Sequence, residues 1–350
     1  MHVVTIPADA DPNVATIVAA LRGPNISSVF VAGAPGFGKS SVLVAALRQL
    51  QVTTKLTPVW VSGGSIASEA HLVSVITKAL HRLEWANRSL GYLCDRLVEA
   101  QPPIVMAIDD FDTLVFKRER MAGTLGSILS RNPANRVVAS LRAGVKDRFM
   151  SSSHPFLAAL GDRAIAVTLQ PLDYQSAVEL IRRRTPRLSS QVTRALIAAA
   201  GGHPAALVYL ARLAELRESD ERSVESLVVT ASEFAGAVYA ESWASLGPQQ
   251  RAILRELSTH STATAADVAR AINLPASQVS AQITRLIADG LARREEQRGH
   301  HSVAPLLARW IDRRAIRSAP VAVSPTQAVH RLRPPHARRR PKAAVRRGRR

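Results

Sequence analysis

The chain has 350 residues, 47% of them hydrophobic, enough to bury the cores of two or three domains. Its formal charge of +19 is uneven: 13 of the 46 Lys and Arg residues, and no acid, lie in residues 313–350. A single cysteine, Cys94, excludes an internal disulfide framework, and the ten histidines lack paired Cys/His spacing, with no third ligand near His300 and His301. The longest apolar zone, 195–213, is broken at 201–204 and contains Arg212, which argues against a membrane span, and the first residues carry neither a secretory nor a transit signature. A cytoplasmic protein is expected.

In chain order, residues 28–32 (SVFVA) form a short β-branched run that ends in glycines. Residues 40–50 then switch to helical spacing through Val42, Ala45, Leu47 and Leu50. A second strand is predicted at 59–61, with helices over about 67–83 and 90–100; in the second of these Leu90, Leu93 and Leu97 place Cys94 in the core. Residues 104–108 (IVMAI) do not alternate, as suits a parallel strand covered on both faces, and they end at Asp109-Asp110. A helix near 122–130, a fourth strand at 136–141 and a fifth at 164–169 complete an alternating α/β pattern. The fold class is therefore α/β, a parallel five-stranded sheet with helices on both faces.

From Pro171 on, helical spacing dominates through Ala177, Leu180, Ile181, Val192 and Leu196. Gly247-Pro248 opens a third unit, Thr264 and Asp267 form a capping box, and a third helix runs from about Ser277 to a stop at Gly290, before a hairpin with its turn at 297–301. Three helices and a hairpin make a winged helix-turn-helix. The expected organisation is a P-loop core over 1–170, a helical lid over 171–244, a winged helix over 245–312 and a disordered basic tail over 313–350.

Residues 33–40, Gly33-Ala34-Pro35-Gly36-Phe37-Gly38-Lys39-Ser40, fit G-x-x-x-x-G-K-[ST], and Ser41 continues the helix start. Glycines at those places let backbone N–H groups curl around phosphates, and the helix N-terminus adds its positive end. Lys39 is placed to reach the β- and γ-phosphates of ATP, and Ser40 and Asp109 to hold Mg²⁺. Asp110 either orients and deprotonates the attacking water or caps the next helix, and Asp112 is expected as a capping or surface residue.

These segments, with Ser140-Leu141-Arg142 after the fourth strand and Gly201-Gly202-His203-Pro204 in the helical part, resemble the STAND and origin-recognition-like branch of the AAA+ ATPases over about residues 25–312. The resemblance implies that Arg142, with Ser140 beside it, senses the γ-phosphate, and that the Gly202-x-Pro204 step brings Pro204 to the nucleotide. Two features depart from the family pattern: no Gly-Arg-acidic segment precedes the loop, and the second acid is Asp110 rather than Glu.

The third helix of the winged unit offers Ser277, Gln278, Ser280, Gln282, Thr284 and Arg285 for base edges, and Arg293, Arg294 and Arg298 for phosphate, against Glu295 and Glu296. The same unit in STAND-like proteins also packs on the ATPase as a regulatory clamp. The chain is thus expected to be an ATP-driven, slowly hydrolysing switch acting on DNA or a protein partner, with nucleotide-dependent self-assembly possible. The alternatives are a regulator of assembly with little hydrolysis and a P-loop small-molecule kinase. Arg131 and Arg148 are candidates to reach a neighbouring subunit's site.

Overall fold

The protein's structure is a computed structural model that describes residues 12–85, 88–98, 102–217 and 223–318. The five expected strands form as β1 (Ser28–Gly33), β2 (Thr57–Ser62), β3 (Ile104–Asp109), β4 (Arg136–Arg142) and β5 (Ala164–Thr168). They pair in parallel in the order β2-β3-β4-β1-β5. This order puts β4 between the loop strand and the acidic strand, with Val31 opposite Ser140 and Gly33 opposite Arg142.

Every residue of β1 is buried, because helices cover both faces of the sheet. On one face α1 (Pro12–Arg22) and α2 (Lys39–Thr53) pack Ile17, Leu21, Leu43 and Leu50 against Val29, Val31, Val105 and Ala107. On the other face lie α3 (Glu69–Ala79), α4 (Leu90–Val98), α5 (Phe111–Lys117), α6 (Glu119–Arg131), α7 (Ala143–Met150) and α8 (Pro155–Leu160). Their core meets Phe30, Val59, Met106 and Ile108. The side chain of Cys94 lies outside the described residues.

The helical part comprises α9 (Tyr174–Arg184), α10 (Ser190–Ala200), α11 (Pro204–Leu216), α12 (Val224–Phe234) and α13 (Gly236–Ser245). The winged helix follows with α14 (Pro248–Thr259), β6 (Ala263–Thr264), α15 (Ala265–Ala271), α16 (Ala276–Ala288), β7 (Arg293–Arg294) and β8 (His300–Ser302). Its antiparallel sheet has the order β6-β8-β7. The capping box forms as the sequence dictates: Asp267 N–H donates to Thr264 Oγ1 at 3.2 Å, and Thr264 N–H to Asp267 Oδ2 at 3.2 Å.

A last helix, α17 (Pro305–Ser318), runs past the boundary expected at residue 312. Arg309 and Arg313 join it to α12 through Glu225 and Glu233, each at 3.1 Å. The rest of the basic tail, from residue 319, lies outside the described residues. One hydrophobic core extends from Ala177 through Tyr239, Ile253 and Val279 to Ile311 and is continuous across residues 244 and 245. Among the described residues no helix is long and apolar enough to cross a membrane.

Candidate nucleotide-binding site

The loop between β1 and α2 has the shape that its glycines permit. Gly36 and Gly38 adopt φ of 80° and 81°, a region that costs other residues energy, and Phe37 N–H closes a turn onto the Ala34 carbonyl at 3.2 Å. Lys39 Nζ donates to the Gly33 and Ala34 carbonyls at 2.9 and 3.0 Å, which draws the ends of the loop together. The first-turn N–H groups of Lys39, Ser40 and Ser41 have no carbonyl behind them in α2, and Gly38 provides no side-chain cap. Space beside Gly38 is open, with no atom within 4 Å of where a Cβ would stand. Free amides, open space and a lysine at a helix N-terminus fit the phosphates of a nucleotide.

The acidic edge sits two strands from β1, across β4. Ser140, buried in β4, donates its hydroxyl to Asp109 Oδ1 at 2.6 Å and accepts the Asp110 N–H at 2.8 Å, so β4 fixes both acids. Among the described residues no group of three or more His, Cys, Asp or Glu side chains could hold a metal alone. Ser40 stands in the first turn of α2 and Asp109 ends β3; an ion held by these two would take its remaining ligands from phosphate oxygens and water, the usual arrangement for Mg²⁺.

Asp110 holds φ 50° and ψ 43°, a left-handed conformation rare for a residue with a side chain, and its carboxylate makes no cap bond to α5. Gly63 and Gly64 leave it room: a Cβ on Gly64 would stand 3.3 Å from Asp110 Oδ2, and one on Gly63 would meet the Asp110 carbonyl at 2.7 Å. Partial burial, then the neighbouring Asp109 and Asp112 carboxylates, push the Asp110 carboxyl above its ordinary value, against the pull of Lys39. The Lys39 ammonium is shifted down, chiefly by burial, while Glu241, Asp109, Asp110 and Asp112 oppose the shift.

Asp112 corrects its expected placement. It is 3% exposed and accepts from Arg142 Nε at 2.5 Å, so it is neither a surface residue nor a simple cap but the group that aims Arg142. It escapes sequence reasoning because a buried acid two residues into a helix has the same local pattern as a cap. Glu241, on α13, is another acid without a motif; it is exposed and exerts the largest opposing charge on Lys39.

Pro204 occupies the first turn of α11, and its neighbours Ala205 and His203 meet the loop. Ala205 N–H donates to the Gly36 carbonyl at 3.1 Å, and His203 packs so closely that a Cβ on Gly36 would stand 2.6 Å from His203 Cε1. Phe37 is only 5% exposed, and its ring faces His203 and Gly290 while its backbone shapes the loop.

One expectation for the winged helix changes. Arg293 is engaged internally, donating from Nε to Glu295 at 3.0 Å and Ser302 at 2.8 Å and from its guanidinium to the Ala198 carbonyl at 3.4 Å, so it does not stand free for phosphate. Gln278 donates to Gln249 at 2.9 Å, whereas Ser277, Ser280, Thr284, Arg285, Arg294 and Arg298 remain exposed. Arg131 pairs with Asp95 at 3.3 Å, and Arg148 lies 5.2 Å from the Phe116 ring.

Sheet order, phosphate loop, acidic strand end, helical lid and terminal wing together define a P-loop NTPase with a C-terminal winged helix. The family model described as Novel STAND NTPase 1 matches residues 11–257, and the chain belongs to that family. A MarR family model matches residues 244–301, which contain the winged helix.

The fold is similar to that of the Walker-type ATPase PABY2304 of Pyrococcus abyssi, with a TM-score of 0.62 and 14% identity over 89% of this chain and 99% of that one. Looser likenesses are to Cdc6p from Pyrobaculum aerophilum (TM-score 0.49, 13% identity, 89% of this chain and 96% of that one) and to ORC of Drosophila bound to DNA (TM-score 0.49, 15% identity, 89% and 88%). No curated protein matches the sequence.

Proposed function

We propose that the protein is an ATP-binding switch that hydrolyses ATP slowly and passes its nucleotide state to the winged helix. The observation that carries this reading is the joining of three groups at one sheet edge: the open amides of residues 38–41, the Ser140–Asp109–Asp110 cluster, and the lid's Ala205 N–H on Gly36. In this reading the loop amides and Lys39 bind the phosphates, and Ser40 and Asp109 hold Mg²⁺, whose charge would neutralise the phosphoryl oxygens. Ser140 keeps Asp109 oriented. Asp110 accepts the proton of the attacking water, and Arg142, steadied by Asp112, faces the terminal phosphate. The core, lid and wing are proposed to divide at residues 170 and 244, and the tail, expected from residue 313, to begin after α17.

The output is proposed to be DNA or a protein bound through the wing. The exposed Arg285, Arg294 and Arg298 favour DNA, whereas the engagement of Arg293 favours a wing that serves the ATPase. The deciding measurement is phosphate release from ATP with and without double-stranded DNA, for the wild type and Asp110→Asn. Stimulation by DNA supports the DNA-coupled switch, and slow, DNA-indifferent turnover supports the protein-coupled one. Unimpaired turnover by Asp110→Asn overturns the general-base role, and transfer of phosphate to a small molecule would sink the switch reading altogether.

A further inference from the structure

The Phe37 side chain takes no part in phosphate binding, yet it is buried and closely packed. A Cβ on Gly290 would stand 2.5 Å from Phe37 Cζ and 2.9 Å from Cε1, so the ring occupies the space that only a glycine leaves. Gly290 is the left-handed residue (φ 66°) that ends α16, where its N–H bonds the Ile287 carbonyl at 2.9 Å and Leu291 N–H bonds Leu286 at 2.9 Å. The loop ring is therefore seated on the stop of the winged helix's third helix.

The same ring also meets the lid. His203 lies perpendicular to Phe37 with centroids 5.3 Å apart and is fully buried. Its Nδ1 accepts the Ala206 N–H at 3.3 Å as the cap of α11, which assigns the proton of the neutral ring to Nε2. That buried Nε2 makes no full hydrogen bond, and the Pro35 backbone beside it offers a weak acceptor only. Burial lowers the imidazole to about 4, so the ring is neutral near pH 7. The ring path continues from His203 to Tyr239 at 5.3 Å and from Tyr239 to Trp310 at 5.9 Å, which ties α13 and α17 to the same contact.

We infer that Phe37 and His203 are positioning residues that couple phosphate seating at residues 36–41 to the C-terminal end of α16. Gly36 is held by the Ala205 N–H and the His203 ring, and Phe37 by Gly290, so the loop cannot shift toward a phosphate without moving the lid or the wing. Coupling of this kind acts equally in both directions, so a nucleotide must alter the α16 stop as much as that stop alters nucleotide binding.

The inference rests on the nucleotide reading of the loop, and its test separates the two. Amide hydrogen exchange of the full chain is followed over residues 33–41 and 283–292, with and without MgADP, in the wild type, Phe37→Ala and the milder Phe37→Leu. Release of a fluorescent ADP is timed in parallel. In the wild type MgADP should slow exchange in both segments; in Phe37→Ala the loop should still respond while 283–292 no longer does, and ADP release should quicken about tenfold.

Undiminished protection of 283–292 in both variants, with unchanged release, overturns the coupling while leaving the nucleotide site standing. If neither MgADP nor MgATP changes the wild-type loop, the nucleotide reading fails. The coupling is then judged without ligand: Phe37→Ala must speed exchange in both segments, and faster exchange in the loop alone overturns it.

Discussion

The protein is poor in aromatic residues, at 4%, and it gathers several of them in two clusters of different purpose. In one, Phe30, Phe111, Phe149 and Phe156 stack behind the acidic edge with centroids 4.8 to 6.1 Å apart. All four are buried within the sheet layer and its own helices. In the other, Phe37, His203, Tyr239, Trp310 and Trp243 form a line that joins the loop, α11, α13 and α17. The first cluster can only hold geometry, since its members belong to one packed layer. The second joins parts that are distant in the chain, so its energy depends on how those parts are arranged. A rigid site beside a contact between separate parts fits the switch proposed above, in which the chemistry would stay fixed while its connection changed.

The largest expected effect comes from breaking the first cluster. Phe111→Ala removes a fully buried ring and should cost about 3–5 kcal/mol, read as a lower urea midpoint with little change in slope. A loss below about 1 kcal/mol would mean that this cluster is not the rigid support of the acidic edge.

The second cluster should carry a pH signature. His203 has a folded value of about 4 against 6.5 for the free side chain, so below 6.5 the unfolded chain takes up a proton that the folded chain refuses. Its contribution is fully present above pH 6.5 and is lost as pH falls toward 4, amounting to about 3 kcal/mol by then. Urea midpoints between pH 7 and pH 4 should fall less steeply in His203→Asn, which keeps an acceptor for the α11 cap. Equal slopes in the two proteins would contradict a buried neutral imidazole.

The smallest effect is expected at Glu241. Glu241→Gln removes an acid that acts on Lys39 from the lid side and should tighten nucleotide binding about two- to fivefold at low salt, less at high salt. Weaker binding would show that Glu241 serves the bound state.

The phosphate loop and the acidic strand were legible because their chemistry depends on close spacing: six residues from Gly33 to Lys39, then an unbroken apolar run ending in Asp109. Five strands could be read for the same reason, since burial on both faces writes a continuous apolar signal. The short α7 and α8 left no clear period, as eight and six residues give barely two turns. Asp112, Glu241 and the Phe37–Gly290 contact were hidden for a deeper reason. Periodicity tells which face of a helix is apolar but not which distant face it meets, and the internal engagement of Arg293 by Ser302 and Ala198 is equally non-local. Gly63-Gly64 was a signal within reach, since paired glycines after a strand mark a close approach, in this case by Asp109 and Asp110.

The most direct test of the account is calorimetric binding of MgATP to the wild type, Lys39→Ala and Asp110→Asn at one salt concentration. The account predicts that Lys39→Ala loses at least about 100-fold in affinity while Asp110→Asn binds within about threefold of the wild type, since only the lysine is a phosphate contact. Equal binding by wild type and Lys39→Ala would contradict the assignment of this loop as the phosphate site.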